Sequence, residues 1–157
     1  MFCYSKTTQN AIAAMSCLAE VWDGKKTVPM SSAQIAKARN LPHTLVAKIL
    51  TILSQTGLVT GMPGPGGGYL LAKSPARITL ADVAKVFERP VESLPCPFGP
   101  GWCGHNNPCP MHDKLIAMNE KITAFIKSTT LQVFTPSANT QPTRKKKTKK
   151  KTRRKSS

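Results

Sequence analysis

From Ser31 to Ala72 the chain is punctuated so closely that few folds can hold it. Ser31-x-x-Gln34 is a capping-box pattern, in which a hydroxyl and an amide satisfy backbone N–H groups at a helix start. The helix it opens passes through Ile35 and Ala36 to Arg39. Asn40-Leu41-Pro42 ends it, because Pro42 disfavours helical geometry at Leu41. A further helix follows at once, from His43 or Thr44 to Gln55, with Leu45, Val46, Ile49, Leu50 and Leu53 as its buried stripe. Thr44, Ala47, Lys48, Thr51 and Gln55 fall on the other side, and Gly57 closes the helix as a C-terminal cap. Two short helices joined by a tight turn form a helix-turn-helix. Leu58-Val59-Thr60 then reads as a strand, 61–68 as a Gly/Pro loop and Tyr69-Leu70-Leu71-Ala72 as a second strand. Helix, helix and glycine-tipped hairpin, in that order, predict a winged helix whose hairpin lies along DNA beside the recognition helix. The glycines are not a phosphate-binding loop: a strand-like segment follows them, and no Gly-Lys-Ser/Thr is present.

The flanks supply the rest of the body. Residues 5–22 read as a helix with Ile12, Met15, Leu18, Ala19 and Trp22 on one face, and Cys17 as a small buried residue within it. Thr79-x-x-Asp82 caps a short helix carrying Leu80, Val83, Val86 and Phe87. From His112 to about Gln132 the pattern is helical again, and Leu115, Met118, Ile122 and Phe125 form a seam of the kind two packed helices need. That seam is read as a dimerisation helix in preference to docking on its own chain, since helix-turn-helix proteins commonly pair to read two half-sites. The fold class is therefore mainly α with a small β-hairpin wing, plus a long C-terminal dimerisation helix. The domains are a winged helix over 1–90, a cysteine loop and dimerisation helix over 91–134, and a disordered basic tail over 135–157.

The chain carries a net charge of +16, with 23 Lys+Arg against 7 Asp+Glu. Ten of the basic residues stand between Arg144 and Lys155, leaving 13 basic and 7 acidic residues, a net +6, on the remainder. The tail has nothing apolar to bury, and its charge adds salt-sensitive affinity for phosphates. No run of apolar residues approaches the length of a membrane span, and Met1-Phe2-Cys3-Tyr4-Ser5-Lys6 has neither the basic leader nor the apolar run of a signal peptide. A cytoplasmic location follows, where clustered cysteines serve more often as ligands than as disulfides.

One constellation carries chemistry: Cys96-x6-Cys103-x5-Cys109-x2-His112. Three thiolates and an imidazole make a soft-metal site. Pro97, Gly99, Pro100, Gly101, Gly104, Pro108 and Pro110 keep the segment irregular, so that several sulfurs can converge. From ligand type alone, an iron–sulfur cluster and a structural zinc stand level. Paired C-x2-C steps are absent, and Cys109-Pro110-Met111-His112 is not a haem attachment motif. His105 reads as solvent-facing.

Gly57-Leu58-Val59, the run Gly64-Pro65-Gly66-Gly67-Gly68-Tyr69-Leu70-Leu71, and the three-cysteine loop before the last helix together resemble the bacterial iron–sulfur regulators of the IscR and NsrR type, the Rrf-two family. The resemblance covers roughly 5–134. It implies a homodimeric winged helix, a cluster ([2Fe–2S] ahead of [4Fe–4S], with zinc as the alternative) and promoter binding that changes with cluster state. It also places His112 where IscR-like members have a histidine ligand. The first cysteine gap is one residue longer than in IscR. The IscR-type DNA contacts, a Ser, a Glu and a wing Arg, fall on Thr44, Ala47 and Pro63, so the family's operator sequence does not carry over. The acidic ligand of the NsrR branch falls among Thr7, Thr8 and Gln9, which favours His112; Cys3 is a distant substitute.

The expected activity is that of a double-stranded-DNA-binding transcriptional regulator, a repressor. Cys96, Cys103, Cys109 and His112 are its metal ligands. Thr44, Lys48 and Thr51 are its recognition-helix contacts, and Gly66, Gly67, Gly68 and Tyr69 its wing contacts. The rival is a zinc-stabilised protein that coats DNA through its tail without sequence choice. It implies colourless protein and binding that collapses when the tail is deleted. No Ser/His/Asp set, paired carboxylates or nucleotide loop supports an enzyme.

Overall fold

The structure is a computed structural model, and it describes residues 5–24, 28–88 and 110–136. Its elements run α1 (Lys6–Glu20), α2 (Ser32–Arg39), α3 (His43–Gln55), β1 (Val59–Met62), β2 (Gly68–Leu71), α4 (Leu80–Phe87) and α5 (His112–Ser128). Single 3-10 turns stand at Pro75–Arg77 and Leu131–Phe134. This is the helical, hairpin-bearing architecture that the sequence predicts. The cysteines at 96, 103 and 109 and the tail beyond 136 lie outside the described residues.

Local chemistry sets the boundaries. Ser31 and Gln34 form the predicted capping box: Gln34 N–H donates to Ser31 Oγ at 3.2 Å, and Ser31 N–H donates to Gln34 Oε1 at 2.8 Å. Thr79 and Asp82 repeat the arrangement at α4, at 3.1 and 3.0 Å. Burial alone would raise the Asp82 pKa, but the Thr79 N–H and hydroxyl, with Lys85 and Lys73, bring it below the usual carboxylate value. Asn40 ends α2 in the left-handed conformation, φ 51°, which Asn tolerates better than most residues.

Met15 and Leu18 of α1, Ile35 of α2, and Ile49, Leu50 and Leu53 of α3 are fully buried together with Ile78, Val83 and Leu131. Cys17 is buried as expected, beside Met30 Sδ at 3.8 Å. Desolvation raises its thiol pKa, partly offset by Arg39. It is an apolar packing group, not a nucleophile.

β1 and β2 pair antiparallel, with Val59 opposite Leu71 and Met62 opposite Gly68. The strands differ from the sequence reading at the loop end: pairing extends into Gly61 and Met62, so the loop between them is only 63–67, while at the other end Ala72 N–H donates to Leu58 O at 3.0 Å. A contact that sequence alone did not indicate adds a third strand-like edge. Met30 N–H donates to Tyr69 O at 3.1 Å and Tyr69 N–H to Met30 O at 2.8 Å, fastening the wing to the segment that enters α2.

The last helix ends at Ser128, earlier than the expected Gln132. Thr129–Leu131 pairs instead with the entry to α4: Leu80 N–H donates to Thr129 O at 2.9 Å and Leu131 N–H to Ile78 O at 2.8 Å. None of α5's own residues is buried.

Candidate nucleic-acid interface

On α3, Thr44, Lys48, Thr51 and Gln55 are all exposed. At about 100° per residue they fall within an arc of about 60°. Val46, Ile49, Leu50 and Leu53 occupy the opposite arc and are buried. One side of the helix is thus committed to the core, and the other offers two hydroxyls, an ammonium and an amide to a partner. The Thr51 hydroxyl is already donating to Ala47 O at 2.9 Å, so it meets that partner as an acceptor.

α2 holds α3 from behind. Arg39 Nε donates to Ala13 O at 3.0 Å, and its Nη2 reaches Ser16 Oγ at 3.0 Å and Glu20 Oε1 at 2.6 Å, clamping α2 to α1. Ser32 Oγ and His43 Nε2, the first residues of α2 and α3, lie 2.9 Å apart and link the two helix starts.

Charge is segregated. Between Asp23 and Asp82 there is no acidic residue. Lys37, Lys48, Lys73 and Arg77, all in this stretch, are exposed. A surface of one sign attracts a polyanion and speeds its arrival. The acid-free run is visible in the sequence and is a better pointer to the interface than the tail.

The wing glycines divide by role. Gly66 is exposed at the tip, whereas Gly67 and Gly68 are half-buried. A Cβ on Gly67 would stand 2.2 Å from Met62 O, and one on Gly68 2.6 Å from the Met30 carbonyl carbon. These two are needed for close backbone passage, whatever else they touch. Tyr69 lays its ring against Gly61 across the strand pair, 3.7 Å from the position of a Cβ there.

Of the expected metal ligands only His112 is described. It is the first residue of α5 and half-buried. Among the described residues no group of three or more potential ligands assembles.

The segment that carries the cysteines leaves α4 beside a polar knot. Glu88, the C-cap of α4, accepts from Ser5 N–H at 2.8 Å and from the fully buried Thr8 hydroxyl. The Thr8 hydroxyl holds the Glu88 pKa below the usual carboxylate value, and Ser5 adds to this against a smaller desolvation effect. A lowered folded-state pKa contributes stability above the ordinary carboxylate range, which is lost as pH falls through the lowered value. Glu88→Gln should therefore lower the melting temperature at neutral pH and flatten its acid limb, with little difference left at the acid end. Equal acid limbs in the two proteins would show that the knot carries no linkage.

A family model described as "Rrf2: Iron-dependent Transcriptional regulator" matches residues 4–136. The chain belongs to the Rrf2 family. Like other Rrf2 members it is a DNA-binding transcriptional regulator and not an enzyme. A protein of Aquifex aeolicus assigned as an HTH-type transcriptional regulator is 33% identical over 131 residues, covering 82% of this chain and 88% of that one. The regulator IscR of Klebsiella pneumoniae is 27% identical over 126 residues, covering 80% and 77%. Among solved structures, CymR, the global cysteine regulator of B. subtilis, matches with a TM-score of 0.70 at 24% identity, over 84% of this chain and 95% of that one. IscR of T. potens matches with a TM-score of 0.63 at 23% identity, over 83% of each. These two show that the Rrf2 winged-helix fold is shared. Among the described residues no helix is long and apolar enough to cross a membrane.

Proposed function

We propose that this Rrf2 protein is a homodimeric repressor whose promoter affinity is set by an iron–sulfur cluster, [2Fe–2S] ahead of [4Fe–4S], held by Cys96, Cys103, Cys109 and His112. The observation that carries this reading is the donor set: three thiols and an imidazole within one short segment of a chain whose family is described as iron-dependent. Thiolate and imidazole suit iron–sulfur chemistry, as in sites where histidine replaces cysteine on one iron. When bound there, the cluster supplies a cross-link that depends on iron supply and oxidation state.

The chain's own residues give that cross-link a route to DNA. The cysteine segment begins immediately after Glu88 and rejoins the described chain at Pro110. Glu88 is fastened to Ser5 and Thr8, the start of α1. α1 in turn is clamped to α2 through Arg39, and its Met15 and Leu18 share a core with α3. A change at the root of the cysteine segment thus biases the helix that backs the helix-turn-helix, a population shift driven by local packing. On the DNA side, Thr44, Lys48 and Thr51 face the major groove, Lys48 meeting a phosphate. The wing, from Gly66 to Tyr69, lies beside it.

The test is a visible spectrum of protein purified without oxygen, with iron, sulfide and zinc assayed on the same sample. Coloured protein with matched iron and sulfide is expected. Cys103→Ala should lose the colour and shift promoter affinity by at least about tenfold, a coupling of about 1.4 kcal/mol. Colourless protein carrying one zinc, with no recovery after iron–sulfide reconstitution, would remove the redox switch and leave the winged helix standing.

A further inference from the structure

The wing carries no charge. From Val59 to Ala72 there is no Asp, Glu, Lys, Arg or His, in a chain of net charge +16. Its tip is apolar and open to solvent: Met62 is 48% exposed, and Pro63, Gly64, Pro65 and Gly66 are exposed beside it. It is also stiff. Gly67 N–H donates to Gly64 O at 2.9 Å, the Gly67 backbone is pressed against Met62 O, and two prolines fix their own φ. Met62, Pro63 and Tyr69 border a shallow cavity of about 330 Å³ on this hairpin. A wing built to hold phosphates would present cations; this one presents a preformed apolar edge on a hairpin whose first strand packs against α3.

We propose that the wing tip enters the minor groove as an apolar wedge, and that Met62 makes the protein reject guanine at the base pair it covers. The proposal rests on the DNA-binding reading above and adds a specificity residue to it. Methionine and proline are among the side chains that serve as minor-groove wedges. The groove floor of an A·T pair carries only acceptors, whereas a G·C pair in either orientation adds the guanine amino group. That amino group projects into the space the thioether fills, and there it loses water with no acceptor in exchange. The discrimination is therefore steric and desolvation-driven, and it is insensitive to salt, unlike a wing cation's contact.

The experiment uses the full-length chain, as isolated and after iron–sulfide reconstitution, to select duplexes from a random library. In the selected duplex, pairs flanking the major-groove contacts are replaced one at a time. Inosine·cytosine keeps the A·T-like minor groove, and 2,6-diaminopurine·thymine adds the amino group to it. At the wing position, diaminopurine should weaken binding about tenfold while inosine leaves it within about twofold, the size of a single mismatched pair. Met62→Ser should abolish that difference without changing the salt slope, and Met62→Arg should steepen the slope by about one. Met62 is exposed, so both variants should melt as the wild type does. If Met62→Ser responds to diaminopurine as the wild type does at every position, the wedge is wrong. A library that yields no enriched sequence would overturn sequence-specific recognition as well.

Discussion

Gly68→Ala is expected to cost several kcal/mol of stability although it adds a single methyl group. The new Cβ would lie 2.6 Å from the carbonyl carbon and oxygen of Met30 and 2.9 Å from Ser31 N. All three neighbours are backbone, so no flexible side chain can swing away. Overpacking of this kind costs about 1–3 kcal/mol. Relief requires Met30 and Tyr69 to separate, which sacrifices both hydrogen bonds of their bridge at about 1 kcal/mol each. Ser31, which caps α2, would be displaced with Met30, so the damage should reach the helix-turn-helix. Gly64 and Gly66 are the control. Both have positive φ, 102° and 76°, but open space where a Cβ would go, so alanine there should cost about 1–2 kcal/mol of backbone strain and no overlap. Urea unfolding of the three variants gives the comparison. A Gly68→Ala midpoint no lower than those of Gly64→Ala and Gly66→Ala would mean that Met30 yields without cost.

That contrast shows what the sequence could and could not disclose. Features decided within three or four residues were legible: the capping boxes at Ser31 and Thr79, the break at Asn40-Leu41-Pro42, and the alternation of exposed and buried positions on α3. A glycine-rich hairpin was legible too, but not the reason for each glycine. Gly68 is required by Met30, nearly forty positions earlier, and nothing periodic links the two. Arg39 on α1 and Glu88 on Ser5 and Thr8 are of the same kind: single polar contacts between distant segments that leave no repeat behind. The end of α5 at Ser128 departs from the sequence expectation for a related reason. Helical apolar spacing continues past Ser128, yet the backbone of 129–131 is claimed by Ile78 and Leu80. The acid-free stretch between Asp23 and Asp82 was open to sequence reading and is the strongest electrostatic signal of the interface. The cysteine segment is legible only as chemistry, through ligand types and spacing.

The pair Met118→Glu and Phe125→Glu is expected to convert a dimer into a folded monomer. α5 is seventeen residues long and buries none of its side chains within the described residues of its own chain. Met111, Met118 and Phe125 are 41%, 41% and 60% exposed and stand seven residues apart. Leu115 and Ile122, half-buried and also seven apart, run alongside. A seven-residue repeat on two adjacent rows is the seam of paired helices. In the homodimer proposed above, a second copy of α5 would cover that seam with the same residues, in the self-complementary way of a two-fold dimer. Two carboxylates in the first of these rows would have to lose their water against methionine and phenylalanine, which costs several kcal/mol per site unless the helices part. Because both side chains are already exposed in the single chain, the winged helix itself should melt within a few degrees of the wild type. DNA affinity should nevertheless fall by at least about a hundredfold, since separate half-site binding forfeits the effective concentration that linkage supplies. Sedimentation velocity at micromolar protein tests the assembly, and titration of a selected duplex tests the affinity. A double variant that still sediments as a dimer would place the interface elsewhere. A wild-type chain that sediments as a monomer would leave the exposed seam of α5 to another partner, and two half-sites would then be the wrong description of its operator.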